Sequence, residues 1–198
     1  MSVSRETSDR LQIYADLLVR WNSRINLVAP GTVADLHARH IDDCLQIADL
    51  SKETDGHWAD LGSGGGLPGL VLAIAKADTD LSFTLVESDQ RKSAFLRTVI
   101  RATGLTNASV VSQRIESSPP LNAAYVSARA LAPLRQLMAY LDRHLGPTGT
   151  AYLMKGRQWR AEVEEARKEW SFEYIAHPSR TQEGAVTLEI SGVSHGAE

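Results

Sequence analysis

The sequence predicts an α/β protein: a doubly wound sheet of seven strands, mostly parallel, with an antiparallel C-terminal hairpin and an N-terminal helical extension. Three observations carry this expectation. Short apolar runs of strand length recur from His57 onward. Helix-length segments alternate with them, which implies parallel strands joined by right-handed crossovers. The last two runs are joined instead by a loop with no helical pattern, so they pair antiparallel.

In order along the chain, the first fifty residues read as helical. Leu11, Tyr14, Leu18, Trp21 and Ile25 step by three and four, one face of an amphipathic helix. Pro30-Gly31 breaks it, and Thr32 is placed to cap a second helix running to about Leu50. Strands are expected near residues 57–61, 81–87, 108–112, 123–128, 149–154, 171–176 and 185–190. Helices fit at about 68–77, 89–103, 133–144 and 158–168. The expected organisation is an N-terminal helical extension, 1–50, packed on a ligand-binding domain, 51–198.

Composition narrows the class. The 198 residues are 43% hydrophobic and 23% charged, enough to bury a core without disulfides or a structural metal. A single cysteine, Cys44, excludes an internal disulfide and suits a reducing, cytoplasmic setting. The stretch Met1 to Arg10 is polar, and no apolar run approaches the roughly 18–20 residues of a membrane span. Neither a secretory leader nor a membrane partner is expected, and the chain is expected to be a monomer. A net charge of −3 argues against indiscriminate coating of nucleic acid but allows a local basic patch. His37 and His40 stand three apart without a third ligand in register, so no metal site is expected.

The most informative stretch runs Asp60-Leu61-Gly62-Ser63-Gly64-Gly65-Gly66-Leu67-Pro68-Gly69, between the first strand and the helix after it. Open α/β folds bind ligands there, outside the carboxyl ends of the strands. Glycines such as Gly62 and Gly64 let the backbone turn tightly and let a ligand lie against it. The second strand ends in Glu87, a carboxylate placed to hold the ribose hydroxyls of an adenosine-containing ligand. The glycines alone also fit a dinucleotide site. Asp60 tips the balance: a carboxylate before the loop repels a pyrophosphate but suits the ammonium and sulfonium of S-adenosylmethionine. Seven strands with a terminal antiparallel pair is also the architecture typical of Rossmann-like class I methyltransferases.

The acceptor is approached by elimination. Methylation of exocyclic base amines usually uses an Asn/Asp-Pro-Pro-aromatic loop after the fourth strand, where this chain has Val126-Ser127-Ala128-Arg129-Ala130. Methylation at pyrimidine carbon needs a cysteine nucleophile, and Cys44 lies in the helical extension without a Pro-Cys motif. Ribose methylation requires a proton to be removed, and Lys155 has no matching partners in the sequence. A nucleophile that already carries a lone pair, such as guanine N7, needs positioning and charge complementarity and no general base. A small-molecule methyltransferase, a dinucleotide-dependent oxidoreductase and a non-catalytic nucleotide-binding module remain open alternatives.

Taken together these residues resemble one family: the bacterial 16S ribosomal RNA guanine-N7 methyltransferases, also called glucose-inhibited division protein B or small-subunit rRNA methyltransferase G. The likeness runs from about Leu11 to Ile190. It includes Trp21-Asn22 with Asn26-Leu27, Arg39-His40 with Asp43, the glycine loop, Arg91-Lys92 with Phe95-Leu96, Arg114-Ile115-Glu116, Ser127-Ala128-Arg129-Ala130 and Lys155-Gly156. Two positions depart from the family pattern: Cys44 stands where serine is usual, and Val28 where threonine is frequent. The resemblance implies S-adenosylmethionine as cofactor, held by Gly62, Leu67, Ile115, Glu116 and Arg129, with the Ile115-Glu116 pair flanking adenine. It implies methylation of guanine N7 in the 530 loop of 16S ribosomal RNA or of the small ribosomal subunit.

The basic residues then divide. Arg129 ends the fourth strand, facing either solvent or the cleft, where it would contact the cofactor's carboxylate or the target guanine. Arg91, Lys92, Arg97 and Arg101 share a helix that is either a solvated face or a phosphate-gripping rim. Lys155, Arg157 and Arg160 lie at the same edge of the sheet, which favours a joint RNA patch, with Arg39 from the extension. Trp159 either stacks on a base or packs, and Asn22 either reaches RNA or caps a neighbouring element.

Overall fold

The computed structural model describes residues 4–196. Residues 1–3 and 197–198, the outer ends of the two expected segments, lie outside the described residues.

Helix α1 (Arg5–Asn22) opens at Ser4, whose hydroxyl accepts from the amide of Thr7. Its buried face is Leu11, Tyr14, Ala15 and Leu18, with Trp21 half-buried against Phe95. The helix stops at Asn22 because that side chain turns the chain: Asn22 Oδ1 accepts from the amides of Leu27 at 2.8 Å and Val28 at 3.0 Å. Ile25 therefore lies beyond the helix, not on its face.

The expected cap at Thr32 is not formed. Pro30–Thr32 is a single 3-10 turn, and the second helical stretch begins at His37 with one π turn, His37–Ile41, continuing as α2 (Asp42–Leu50). The Thr32 hydroxyl is used otherwise, donating to the carbonyl of Ala29 and meeting His40.

The sheet comprises β1 (Asp55–Leu61), β2 (Asp80–Val86), β3 (Ala108–Val111), β4 (Ala123–Arg129), β5 (Leu145–Lys155), β6 (Trp170–Pro178) and β7 (Val186–His195). Between them run α3 (Gly69–Ala75), α4 (Gln90–Thr103), α5 (Leu134–His144) and α6 (Trp159–Ala166), with a 3-10 turn at Ile115–Ser117. Strand order is β3-β2-β1-β4-β5-β7-β6. β1 to β5 are parallel, and β7 pairs antiparallel with both β5 and β6. The C-terminal hairpin thus inserts its last strand beside β5.

Alternation along β1 separates two cores. Trp58 joins α1, α2, α3 and α4 in one, through Tyr14, Ile47, Leu70 and Phe95. Ala59 and Leu61 join α5 and α6 in the other, through Leu137, Leu141 and Trp159. The helical extension is accordingly continuous with the core on one side of the sheet. Strand order reverses between β1 and β4, and the site lies at that switch point.

Candidate functional site

A cavity of about 640 Å³ opens beyond the carboxyl ends of β1, β2 and β4, within the range that small-molecule cofactors occupy. The glycine loop forms its floor. Gly62 has φ +66°, and a Cβ there would come within 2.5 Å of Leu131 Cδ1, so only glycine gives this floor its depth. Glu87 faces the loop across the cavity: its Oε2 accepts from the amide of Gly64 at 2.8 Å and its Oε1 from that of Asp89 at 2.8 Å. These bonds fix the carboxylate plane at the end of β2, where paired ribose hydroxyls would meet it. Leu67, Ile115, Glu116 and Arg129 also line the cavity.

The Ile115–Ser117 turn is held by α5. His144 Nε2 donates to the carbonyl of Ile115 at 2.9 Å, Arg143 donates twice to that of Ser118, and the Tyr140 hydroxyl donates to Glu116 Oε1 at 2.6 Å. The Tyr140 hydroxyl holds the Glu116 carboxyl below its ordinary value. None of these three supports was singled out from the sequence. All stand at the end of a helix far along the chain, a relation no local pattern announces.

Asp60 differs from expectation. It is fully buried and does not line the cavity. Sharing the face of Trp58, it points beneath the loop: Oδ1 accepts from Ser127 Oγ at 2.6 Å, which in turn accepts from Trp58 Nε1 at 3.0 Å. Oδ2 lies against Gly69 without a partner at good hydrogen-bonding geometry, and a Cβ on Gly69 would stand 2.5 Å from it. Burial pushes the Asp60 carboxyl up to about 6. It lies beneath the loop and not in the cavity, where it was expected to face the ligand.

Arg129 reaches the rim from β4 and is largely enclosed. Its Nη2 donates to His40 Nδ1 at 2.8 Å and to the carbonyl of Arg39 at 3.4 Å, and Nη1 reaches Cys44 Sγ at 3.6 Å. A guanidinium only donates, so His40 Nδ1 is an acceptor and its proton sits on Nε2. That proton is donated to Thr32 Oγ1 at 2.7 Å, and Thr32 donates to Ala29 at 2.7 Å. The relay ties the strand tip to the segment Leu27 to Ala29, which forms another wall. Burial, then Arg129 and Arg39, push His40 down to about 4. The π turn brings His40 to this position, a common use of such turns. The extension also grips the floor directly: the buried Tyr14 hydroxyl donates to the carbonyl of Gly65 at 2.7 Å.

The model of the GidB family, described as rRNA small subunit methyltransferase G, matches residues 7–189. The chain belongs to that family. It is 55% identical over 195 residues to ribosomal RNA small subunit methyltransferase G of Paracoccus denitrificans, covering 98% of this chain and 100% of the relative. It is 48% identical to the enzyme of the same name from Ruegeria sp. strain TM1040, covering 98% and 94%. Among solved structures its fold resembles a SAM dependent methyltransferase from Aquifex aeolicus, with TM-score 0.63 at 10% identity over 89% of this chain and 97% of that one. It also resembles M. jannaschii TYW2 in complex with AdoMet, with TM-score 0.57 at 12% identity over 76% and 73%.

In this GidB-family chain the basic residues expected to meet RNA fall into two groups. Arg91 and Arg39 are exposed, with Arg91 beside Asp89 at 3.3 Å, and Lys92 borders the cavity. Lys155 is half-buried: its Nζ lies 2.6 Å from Glu162 Oε2 and donates to the carbonyl of Ala132 at 3.0 Å. Its ammonium is paired with Glu162 on the wall of a second, smaller cavity. Arg157 is exposed but donates to the carbonyl of Glu183 at 3.1 Å, tying the end of β5 to the final hairpin. Trp159 is buried with the Arg160 guanidinium over its ring, and Asn22 is the turn-forming residue already described. Among the described residues no group of three His, Cys, Asp or Glu side chains could hold a metal ion, and no helix is long and apolar enough to cross a membrane.

Proposed function

We propose that this chain transfers a methyl group from S-adenosylmethionine to N7 of a guanine in the 530 loop of 16S ribosomal RNA. The observation that carries the reading is the fixed Glu87 carboxylate facing the glycine floor in a protein of the rRNA methyltransferase G family. Gly62, Gly64 and Leu67 cradle the cofactor, Glu87 takes the ribose, Ile115 and Glu116 flank the adenine, and Arg129 closes the methionine end. Asp60 holds the floor from below. S-adenosylmethionine supplies the methyl group.

The N7 lone pair forms the new N–C bond while the C–S bond breaks and its electron pair stays on sulfur. The positive charge passes to the base and no proton moves, so the site needs alignment and no base. Arg39, Arg91 and Lys92 grip phosphate around the cavity mouth. The chain acts as a monomer in the cytoplasm: among the described residues its exposed large apolar side chains are Ile13, Val19 and Ile175, little surface for a permanent partner.

The test maps N7-methylguanosine by primer extension in small-subunit RNA from cells with and without the gene. Loss of one modified guanine in the deletion, restored by the purified chain, is expected. An unchanged modification pattern would overturn the reading.

A further inference from the structure

A second cavity, of about 330 Å³, lies on the other side of Arg129 and shares Arg129 and Ala130 with the first. Its walls come from the ends of β4 and β5, from the Lys155–Glu162 pair that joins β5 to α6, from Asp43 of α2, and from Gln182 and Thr187 of the final hairpin. We propose that this cavity receives the target guanine, with Asp43 accepting from its N1–H and Arg129 donating to its O6. The inference rests on the methyl-transfer reading above and adds how the base is chosen.

Three features point to it. First, Asp43 is a built acceptor. It is buried, and its Oδ1 accepts from Ser179 at 2.9 Å, Thr181 at 2.8 Å and Gln46 at 3.2 Å. These three donors orient the carboxylate and leave Oδ2 facing Arg129. Second, Oδ2 stands 3.9 Å from Arg129 Nη2, too far for a hydrogen bond. The three bonds that Arg129 makes take both N–H groups of Nη2 and one of Nη1, leaving Nε–H and the second Nη1–H without a partner among the described residues. An acceptor and a guanidinium with two free N–H groups thus share one cavity wall. Guanine presents the complement on adjacent atoms, a donor at N1 and an acceptor at O6. Adenine presents the reverse, an acceptor at N1 and a donor at N6, and would set its N1 lone pair against a carboxylate.

Third, the arrangement aims the reacting atom. On the purine rim O6 lies between N1 and N7. With N1 on Asp43 and O6 on Arg129, N7 comes next, toward the cavity that Arg129 shares. As charge develops on the base, its N1–H becomes a stronger donor, so the bond to Asp43 tightens in the transition state.

The experiment follows methyl incorporation into small-subunit RNA, from cells lacking this protein, that carries guanine or adenine at the target position. Asp43→Asn replaces the acceptor by a donor while keeping an oxygen for Ser179 and Thr181. It should lower kcat/KM on guanine at least about a hundredfold and narrow the preference over adenine by the same factor. Binding of S-adenosylhomocysteine, read by calorimetry, should stay within about threefold because Asp43 does not line the first cavity. Thr181→Val, which loosens the orientation of Asp43 without touching Oδ2, should stay within about fivefold of wild type. Wild-type turnover by Asp43→Asn would overturn the proposal. So would an equal fall in both variants, which would make Asp43 a clip for the hairpin and nothing more. If the unaltered protein labels no ribosomal RNA at all, the broader reading fails first and takes this one with it.

Discussion

The Nη2 group of Arg129 donates to His40 Nδ1 at 2.8 Å; burial of the ring first, and this guanidinium second, keep His40 neutral in the folded protein. Folded His40 titrates near 4 and the unfolded residue near 6.5, so between those values the unfolded chain binds more protons. The stability that His40 confers is complete above pH 6.5 and is lost as pH falls toward 4. Asp60 runs the other way. Its folded value of about 6 exceeds its ordinary 3.8, so stability rises as pH falls from 6 toward 3.8. Each amounts to at most about 3 kcal/mol, and they oppose each other in overlapping windows. His40→Gln, which can still accept from Arg129 but does not titrate, should unmask Asp60. Urea unfolding of this variant is expected to show stability rising relative to wild type as pH falls from 7 to 5. A variant curve parallel to wild type would refute the neutral assignment.

The floor of the cavity should be intolerant at one atom. Gly62→Ala adds a Cβ at φ +66° and 2.5 Å from Leu131. The conformation costs about 1 kcal/mol and the contact adds to it, so S-adenosylhomocysteine should bind more than about tenfold more weakly. Gly31→Ala, with nothing within 4 Å of its added Cβ, is the matched control and should bind normally. Calorimetry on both separates loop geometry from a general loss of glycine flexibility.

Tyr14 tests whether the extension shapes the cofactor floor or only covers it. Tyr14→Phe deletes the hydroxyl that donates to Gly65 and leaves a buried carbonyl with one partner fewer. A loss of about 1 kcal/mol is expected, read as a lowered melting temperature, together with severalfold weaker cofactor binding. Unchanged affinity would reduce α1 to a cover.

The basic residues should separate by experiment as they do by position. Replacing both Arg91 and Lys92 by alanine should reduce the dependence of RNA affinity on salt, lowering the logarithmic slope by about 1 to 2. The fold should be unaffected, since both reach solvent. Lys155→Ala should do the opposite: it leaves Glu162 with only the amide of Leu134 as donor and destabilises the protein by about 1 to 2 kcal/mol, with little change in salt slope.

Strands, helices and the glycine floor were legible because each leaves a local periodic or compositional trace, and Glu87 was legible because it ends a recognisable strand. Asp60 was misplaced for a physical reason. Its face of β1 follows from alternation with Trp58, but that this face lies under α3 depends on where α3 packs. The pairing of Arg129 with His40 joins residues 89 apart in sequence through a π turn, and an i→i+5 turn has no signature in a pattern read at 3.6 residues. Lys155 looked like an RNA contact because its partner, Glu162, faces it only once α6 folds back on β5. Lys155 and Arg129 both follow a strand as lone basic residues, so local sequence could not tell the one paired with Glu162 from the rim one.

The bonds from Asp43 to Ser179 and Thr181 join residues 136 and 138 apart in sequence. Contacts of that range close late in folding, after the loops between them have been ordered. During synthesis the N-terminal helices and the cofactor floor therefore emerge first, and the wall holding Asp43 in place arrives only with the final hairpin. A nascent chain still lacking residues 179–187 has no second cavity, so that pocket beside Arg129 takes shape only once the final hairpin has been made.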